Sequence, residues 1–359
     1  MEYRSTRVVV AMSGGVDSSA AAGLLVEQGY DVVGVMLKLW SEDGGSRANK
    51  CCTPSDVALA RSIADQLGIP FYLLNIADSF KSIVVDFFVE EYAAGRTPNP
   101  CLECNRRVRF ELLLNKALGL GAQYLATGHY ARVQAVDGQY RLLRGVDRKK
   151  DQSYALSVLG QQELAHALFP LGELTKPEAR AHAARLKLPV AEKVESQDLC
   201  FLGSGDYREF LTRRAPDAIR PGVIRDPTGK VLGQHAGLPF YTIGQRKGLG
   251  LAAPEPLYVL AKDVAANAVI VGTAEELGQR ACQARRMHYV SGVTPVASFR
   301  AEAKIRSTAH ETPVTVYPNG DTARVEFDEP QRDITPGQGL VLFDGERVIG
   351  QGIIVEGGD

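Results

Sequence analysis

Arg7-Val-Val-Val-Ala-Met-Ser13-Gly14-Gly15-Val16-Asp17-Ser18-Ser19, running on through Ala20 to Gln28 and stopping at Gly29, is the stretch that decides the fold. A β-branched apolar run that breaks at Ser-Gly-Gly and resumes as an alanine-rich segment reads as a strand, a tight turn and a helix N-terminus. Such a turn cradles an anion. Two glycines let backbone N–H groups approach closely, Ser13, Ser18 and Ser19 offer hydroxyl donors, and the helix dipole favours negative charge there. No Gly-Lys-Ser/Thr closes the turn, so it is not a Walker A loop, whose lysine reaches the outer phosphates. Asp17 stands there instead. A carboxylate beside phosphates calls for a divalent cation between them, which predicts a magnesium nucleotide.

The Ser-Gly-Gly-Val-Asp-Ser run resembles the SGGxDS loop of the pyrophosphate-loop ATP pyrophosphatases, which adenylate a carbonyl or carboxyl oxygen and release pyrophosphate. Outward from it, Asp31 to Trp40 is a second β-rich run one helix length on, a spacing that makes a right-handed βαβ unit. Ser41 to Lys50 is a polar loop expected to overhang the nucleotide. Thr53-Pro54 opens a helix that Gly68 ends, and Phe71 to Ile76 is a strand. Asp78 to Ala94 and Asn105 to Leu118 are helices followed by glycines, and Gln123 to Tyr130 completes a parallel set. This alternation predicts an α/β fold with a doubly wound parallel sheet. Ala131 to Val136 and Gln139 to Arg144 flank Asp137-Gly138 as a β-hairpin. Thr175-Lys-Pro-Glu178 starts a helix with a capping box. Beyond Pro216 helix signals fade and short strands with Pro- and Gly-rich turns take over, which predicts two small β modules.

The chain's 359 residues exceed one core and its net charge of −1 excludes a uniformly basic nucleic-acid binder, so any RNA must be held by local patches. No run is apolar enough to span a bilayer, and Met1 to Arg7 leads into a strand without a signal-peptide core. A cytoplasmic location without membrane contact is expected, and nothing in the sequence sets an oligomeric state. Six cysteines in a chain of this length point to thiol chemistry, metal or packing rather than to a secreted disulfide framework.

Two stretches carry the thiols of interest. Gly95-Arg-Thr-Pro-Asn-Pro-Cys101-Leu-Glu-Cys104-Asn105 reads as a proline-stiffened loop entering a helix with Arg106, Arg107 and Arg109. A thiol at a helix N-terminus beside arginines should ionise easily, and Cys104 fits that description. Glu195-Ser-Gln-Asp-Leu-Cys200-Phe201 presents a second cysteine in a distant polar turn. Joined to a nucleotide loop, the two suggest a redox pair.

Ser13 to Ser18, Gly95-Arg-Thr-Pro-Asn-Pro100, Cys104-Asn105, Ala126-Thr-Gly-His-Tyr-Ala-Arg132, Lys150-Asp-Gln-Ser-Tyr154, Ser196-Gln-Asp-Leu-Cys-Phe201, Thr242-Ile-Gly-Gln-Arg-Lys-Gly-Leu-Gly250 and Thr335-Pro-Gly-Gln338 follow one another in the order found in the bacterial tRNA-specific 2-thiouridylases, and the chain resembles that family over nearly its whole length. The resemblance implies ATP-dependent 2-thiolation of the wobble uridine 34 in tRNAs for Lys, Glu and Gln. It implies an ATP site, with Mg2+, formed by Ala11, Met12, Ser13, Gly14, Gly15, Val16, Asp17, Ser18, Leu37 and Gly128, and a catalytic pair Cys104 and Cys200. Asn99, Pro100 and Cys101 align with the triplet that meets the target base. His129, Lys150, Asp151, Gln152, Arg306, Ser307 and Gln338 align with tRNA contacts. Many members carry Asp where this chain has Cys101, and an aromatic residue where it has Ser307. The expected domains are a 1–208 catalytic domain of the adenine nucleotide α-hydrolase-like type, a 209–277 β-rich domain and a 278–359 β-barrel.

The chemistry is sound on its own terms. The C2 carbonyl of uracil is a poor electrophile, and adenylation converts its oxygen into AMP as leaving group. A persulfide on Cys200, charged by a cysteine desulfurase or a sulfur-relay protein, can then attack C2, and Cys104 can break the sulfur–sulfur bond. The base must be flipped out to arrive. The competing route keeps the substrate and holds an iron–sulfur cluster on Cys101, Cys104 and Cys200. A glutamine-dependent synthetase would need an ammonia source that the sequence lacks, and a non-catalytic RNA-binding protein would need neither thiols nor loop. Cys51-Cys52 and Cys282 read as packing or exposed thiols. Arg148-Lys149-Lys150, Arg213-Arg214 and Arg285-Arg286 read as solvated charge, the first becoming a phosphate contact if tRNA binds.

Overall fold

A computed structural model describes residues 6–42, 53–191, 193, 199–202 and 206–358. Residues 43–50 of the loop expected from Ser41 to Lys50, the Cys51-Cys52 pair and Glu195 to Asp198 of the second cysteine motif lie outside the described residues.

Seven strands come first: β1 (Arg7–Met12), β2 (Asp31–Lys38), β3 (Phe71–Asn75), β4 (Tyr124–Ala126), the hairpin pair β5 (Ala131–Val136) and β6 (Gln139–Arg144), and the short β7 (Ala167–Leu168). Five of them form a parallel sheet in the order β3-β2-β1-β4-β7. The central β1 feeds two cores by alternation. Val8 and Val10 pack with α1 (Val16–Glu27), α2 (Pro54–Leu67) and the Lys176–Arg185 helix. Val9 packs on the other face against the helix at 100–119. Helices cover both faces, so β1 reads as an unbroken apolar run. The connections diverge on either side of β1, and the crevice between β1 and β4 opens at their carboxyl ends, where ligands of such sheets bind.

Local signals held where backbone chemistry is strict. Thr53 and Thr175 each form the capping box that opens their helices, and Gly68 closes α2 in the left-handed region. Asp137 and Gly138 both take positive φ, as a two-residue hairpin turn requires. The helix expected from Asn105 begins more than a turn earlier, at Pro100, with Asn99 as its cap and the Asn99 Oδ1 accepting from the Cys101 N–H at 3.1 Å. Asn followed by Pro is itself a start signal. That helix widens into a π-helix over Cys104–Leu113 before ending as Leu114–Gly119.

Four strands, β8 (Gly222–Arg225), β9 (Val231–His235), β10 (Tyr258–Asp263) and β11 (Ala268–Gly272), make a small sheet in the order β10-β11-β8-β9. The last six are β12 (Gln279–Tyr289), β13 (Phe299–Lys304), β14 (Thr312–Asn319), β15 (Thr322–Gln331), β16 (Gly339–Asp344) and β17 (Arg347–Gly358). They run β12-β15-β14-β13-β16-β17, and β17 pairs back onto β12, closing a six-stranded barrel without free edges. The β5–β6 hairpin joins this sheet through β17. Gly339-Leu-Val-Leu-Phe343 shows no polar alternation because both faces of β16 are covered: Leu340 and Leu342 enter the barrel core, while Val341 and Phe343 belong to the core that holds Val9 and Phe110.

The seam between modules is hydrogen-bonded. The Gln338 amide donates to Thr97 O at 2.7 Å, the Thr97 N–H to Pro336 O at 2.9 Å and the Tyr154 hydroxyl to Gly339 O at 2.9 Å. Arg306 donates to Ile243 O, Asp333 O and Thr335 Oγ1, tying the barrel to the small sheet. Among the described residues no helix is long and apolar enough to cross a membrane.

Candidate active site

A cavity of about 370 Å³ opens at the carboxyl ends of β1 and β4. Its floor is the Ser13–Ser18 turn and its rim includes Leu37, Thr127, Gly128 and His129. Gly14 has φ +67, and a Cβ there would lie 2.9 Å from the Asp56 carbonyl, so the N-terminus of α2 presses onto the turn. A Cβ on Gly128 would come within 2.7 Å of the Asp17–Ser18 backbone. Only glycine allows these approaches.

The hydroxyls of the turn divide by role. Ser19, fully buried, donates to Gly15 O at 2.8 Å. Ser18 donates to the same carbonyl and accepts from the Ser13 N–H at 3.1 Å. Ser19 is therefore not the phosphate donor that the sequence suggested: its hydroxyl holds the turn in shape, and of the three serines only Ser13 and Ser18 line the cavity.

Asp17 lines the cavity as well and is tied from behind. It is half-buried in the first turn of α1, and its Oδ1 accepts from the Tyr130 hydroxyl at 2.9 Å and from Lys176 at 2.7 Å. Lys176 is 7% exposed, so this pair is largely withdrawn from water. Beside it Lys193 donates to Gly14 O at 3.0 Å and to Asp56 at 2.8 Å. Burial would raise Asp56, but the bonds from Lys193 and Thr53 hold its carboxyl below the usual range. Two cations thus reach the turn from remote segments, Lys193 lining the cavity and Lys176 lying behind Asp17. Lys176 is placed by the capping box that Thr175 opens, and Lys193 has no local signal.

The opposite wall carries the thiols. Cys104 and Cys200 both line the cavity and both pack against one aromatic cluster. Phe201, beside Cys200, anchors there with ring centroids 5.1 Å from Phe88 and 5.8 Å from Phe210. Cys104, with its helix starting at Pro100, is not an N-terminal thiol. Burial pushes it up to about 11, with Arg109 opposing and Cys101 adding to the rise. The easily ionised nucleophile expected from sequence is thus corrected: desolvation outweighs the nearby cation.

Arg109 reaches this wall because of the π-helix. Five steps along an α-helix leave two side chains about 140° apart, whereas i→i+5 bonding returns the fifth residue to the same side. Its guanidinium donates to Asn105 Oδ1 at 3.2 Å and to His129 Nε2 at 2.9 Å. An arginine only donates, so His129 is protonated on Nδ1, which gives its hydrogen to Thr127 Oγ1 at 2.7 Å. Burial, and then Arg109, hold the His129 pKa well below the ordinary value.

Of the other expected contacts, Gln152 lines the cavity. Asp151 accepts from Gly145, Ser153 and the Ser153 hydroxyl, shaping its own loop. Arg306 and Gln338 bond across the module seam, Ser307 is exposed beside it, and Asn99 and Cys101 lie at the helix start outside the cavity wall. Arg286, grouped above with solvated charge, instead donates to the buried Glu103 at 3.1 Å. Cys282 packs in the barrel core. Among the described residues no group of three or more His, Cys, Asp or Glu is arranged to hold a metal ion, which leaves the iron–sulfur route without a built site.

Three family models match in series: the tRNA methyl transferase HUP domain over residues 6–204, the tRNA methyl transferase PRC-barrel domain over 208–273 and the aminomethyltransferase beta-barrel domain over 279–354. Curated relatives match nearly end to end. The chain is 52% identical to the tRNA-specific 2-thiouridylase MnmA of Moorella thermoacetica, covering 96% of this chain and 98% of that one. It is 49% identical to the protein of that name from Roseiflexus sp., covering 97% and 99%, and 50% identical to that from Magnetococcus marinus, also covering 97% and 99%.

Proposed function

The chain belongs to the tRNA-specific 2-thiouridylase family of tRNA-uridine 2-sulfurtransferases, and on that premise we propose that it thiolates wobble uridine 34 of the tRNAs for Lys, Glu and Gln through an adenylated C2 oxygen and a persulfide on Cys200. One observation carries the reading: the Ser13–Ser18 turn, Cys104 and Cys200 line a single cavity.

ATP enters with its phosphates over the turn and the N-termini of α1 and α2. The uracil C2 oxygen attacks the α-phosphorus and pyrophosphate leaves. The outer sulfur of the Cys200 persulfide then adds to C2 and AMP departs. Cys104 attacks the Cys200 sulfur, the persulfide bond breaks, the thiocarbonyl remains on the base and a Cys104–Cys200 disulfide forms. Arg109 is placed to favour the Cys104 thiolate at that step. Mg2+ suits Asp17 Oδ2 together with phosphate oxygens, a set Mg2+ prefers, and would screen the phosphate charge. Lys150, Arg306, Ser307 and Gln338, with Asn99, Pro100 and Cys101, are the proposed RNA-facing residues. A cysteine desulfurase or relay protein charges Cys200.

The test is desulfurase-coupled radiosulfur transfer to Cys200→Ser and Cys104→Ser under non-reducing conditions. Cys200→Ser should accept no label, whereas Cys104→Ser should accept it and stall before release. Label on Cys200→Ser but not on Cys104→Ser would reverse the roles, and multiple turnover by either variant would refute the paired-thiol route.

A further inference from the structure

Cys101 takes no part in the sulfur transfer above, yet it sits three residues before Cys104. The Cys104 N–H bonds to Cys101 O as well as to Pro100 O. Residues three apart on a helix are neighbours on its surface. The two thiols face different surroundings: Cys101 is exposed, whereas Cys104 is half-buried in the cavity wall beside Cys200. They are close enough for charge on Cys101 to oppose charge on Cys104.

We propose that Cys101 is a resolving thiol, which moves the disulfide left by each turnover from the cavity to the surface. The inference rests on the persulfide reading. The Cys101 thiolate attacks the Cys104 sulfur, a Cys101–Cys104 bond forms, the Cys104–Cys200 bond breaks, and its electron pair stays on the Cys200 sulfur, which takes up the proton Cys101 gave away. No net oxidation accompanies this exchange. The two electrons come afterwards from an external protein dithiol. One of its thiolates attacks Cys101, releasing Cys104, and its second thiol resolves the mixed disulfide, leaving Cys101 and Cys104 reduced and the dithiol oxidised.

Cys104 and Cys200 are each only partly exposed within this cavity, so a disulfide between them offers a reducing protein less accessible sulfur than Cys101 does. An exposed Cys101 gives the reductant a sulfur it can reach. The exchange also returns Cys200 as a thiol ready for the next persulfide. Although Cys101 reaches the surface, crowding by neighbouring residues raises its thiol, with Arg109 opposing, so exchange should quicken as the pH rises.

The experiment takes full-length persulfidated protein through one turnover with ATP and tRNA, without reductant, followed by alkylation and trypsin. Cleavage after Arg96 and Arg106 leaves both Cys101 and Cys104 on one peptide. In the wild type the disulfide should lie within that peptide and Cys200 should be alkylated. In Cys101→Ser it should link that peptide to the one bearing Cys200, and re-reduction by a protein dithiol should be at least about tenfold slower. A wild-type disulfide confined to Cys104–Cys200 overturns the proposal, and this map decides the matter even if Cys101→Ser turns over poorly. Equal re-reduction rates also overturn it. Thiouridine formed by Cys101→Ser without any Cys104–Cys200 disulfide would remove the persulfide reading itself, and the proposal with it.

Discussion

At the phosphate end of the cavity the side chains bond one another: Ser18 and Ser19 to Gly15 O, Asp17 to Lys176 and Tyr130, Lys193 to Gly14 O and Asp56. At the thiol end Cys104 and Cys200 rest against aromatic rings, and burial holds Cys104 as the neutral thiol. One end is preorganised by fixed charge and donors, the kind of stabilisation that costs no rearrangement when charge develops. The other holds its thiol neutral by desolvation.

The largest effect should come from breaking the phosphate end. Asp17→Asn removes the partner of a buried lysine, and a hydrogen bond to a charged group contributes about 1.5–3 kcal/mol, so pyrophosphate release should fall roughly 10- to 100-fold. Thermal stability should fall as well, because Lys176 loses its bond to the Asp17 carboxylate. Wild-type release rates would show that the fixed charge is not what organises that end.

A smaller effect sharpens the account of the thiol end. Because burial disfavours the thiolate, the rate of Cys104 alkylation by iodoacetamide should keep rising with pH towards about 11 rather than level off near 9. Arg109→Gln removes the opposing cation and should slow alkylation at pH 9 by roughly three- to tenfold, with Arg109→Lys recovering most of the loss. A plateau near pH 9 in the wild type would mean that Cys104 is not held back by burial. His129 gives a companion signal in stability. Its folded pKa lies below its unfolded value, so its contribution is present above about pH 6.5 and is lost as the pH falls further.

The smallest effect lies outside both ends. Lys150→Ala should lower the slope of tRNA affinity against salt by about one unit, as loss of one phosphate contact requires, without changing pyrophosphate release at saturating tRNA. An unchanged slope would return Lys150 to ordinary surface charge.

What could be read from the sequence follows the same division. The turn from Ser13 to Ser18 is contiguous and its chemistry is backbone chemistry, so strand, glycines and helix could be recognised from order alone. The helix start at Thr53-Pro54, the capping box at Thr175 and the Asp137-Gly138 turn were legible for that reason. The charge partners were not: Lys176 and Lys193 reach the turn through tertiary folding, and nothing in their neighbours announces it. Arg109 was visible as a basic residue near Cys104, but α-helical spacing turns it away and only the wider helix brings it round. The Cys104 pKa was misjudged because desolvation is a property of packing, not of adjacency. Likewise the unbroken apolar run of β16 marked a strand covered on both faces, but not that one of those faces completes the core of another module.

Glu103 carries a consequence for motion. It precedes Cys104 in the chain, and it accepts from Arg106 on its own helix and from Arg286 on the barrel. Arg286 sits where β12 loses register with β17, its φ of 53 placing it in the left-handed region, so the barrel strand is bent to offer that guanidinium. In kinematic terms this ion pair is one of several pins between the barrel and the 97–119 segment that carries Cys104. A displacement of the barrel must either draw these pins or drag the helix with it, and in the second case the thiol moves by the same vector, one peptide unit from the point of pull. The position of a reactive sulfur is thereby indexed to a domain that begins some way beyond it in sequence.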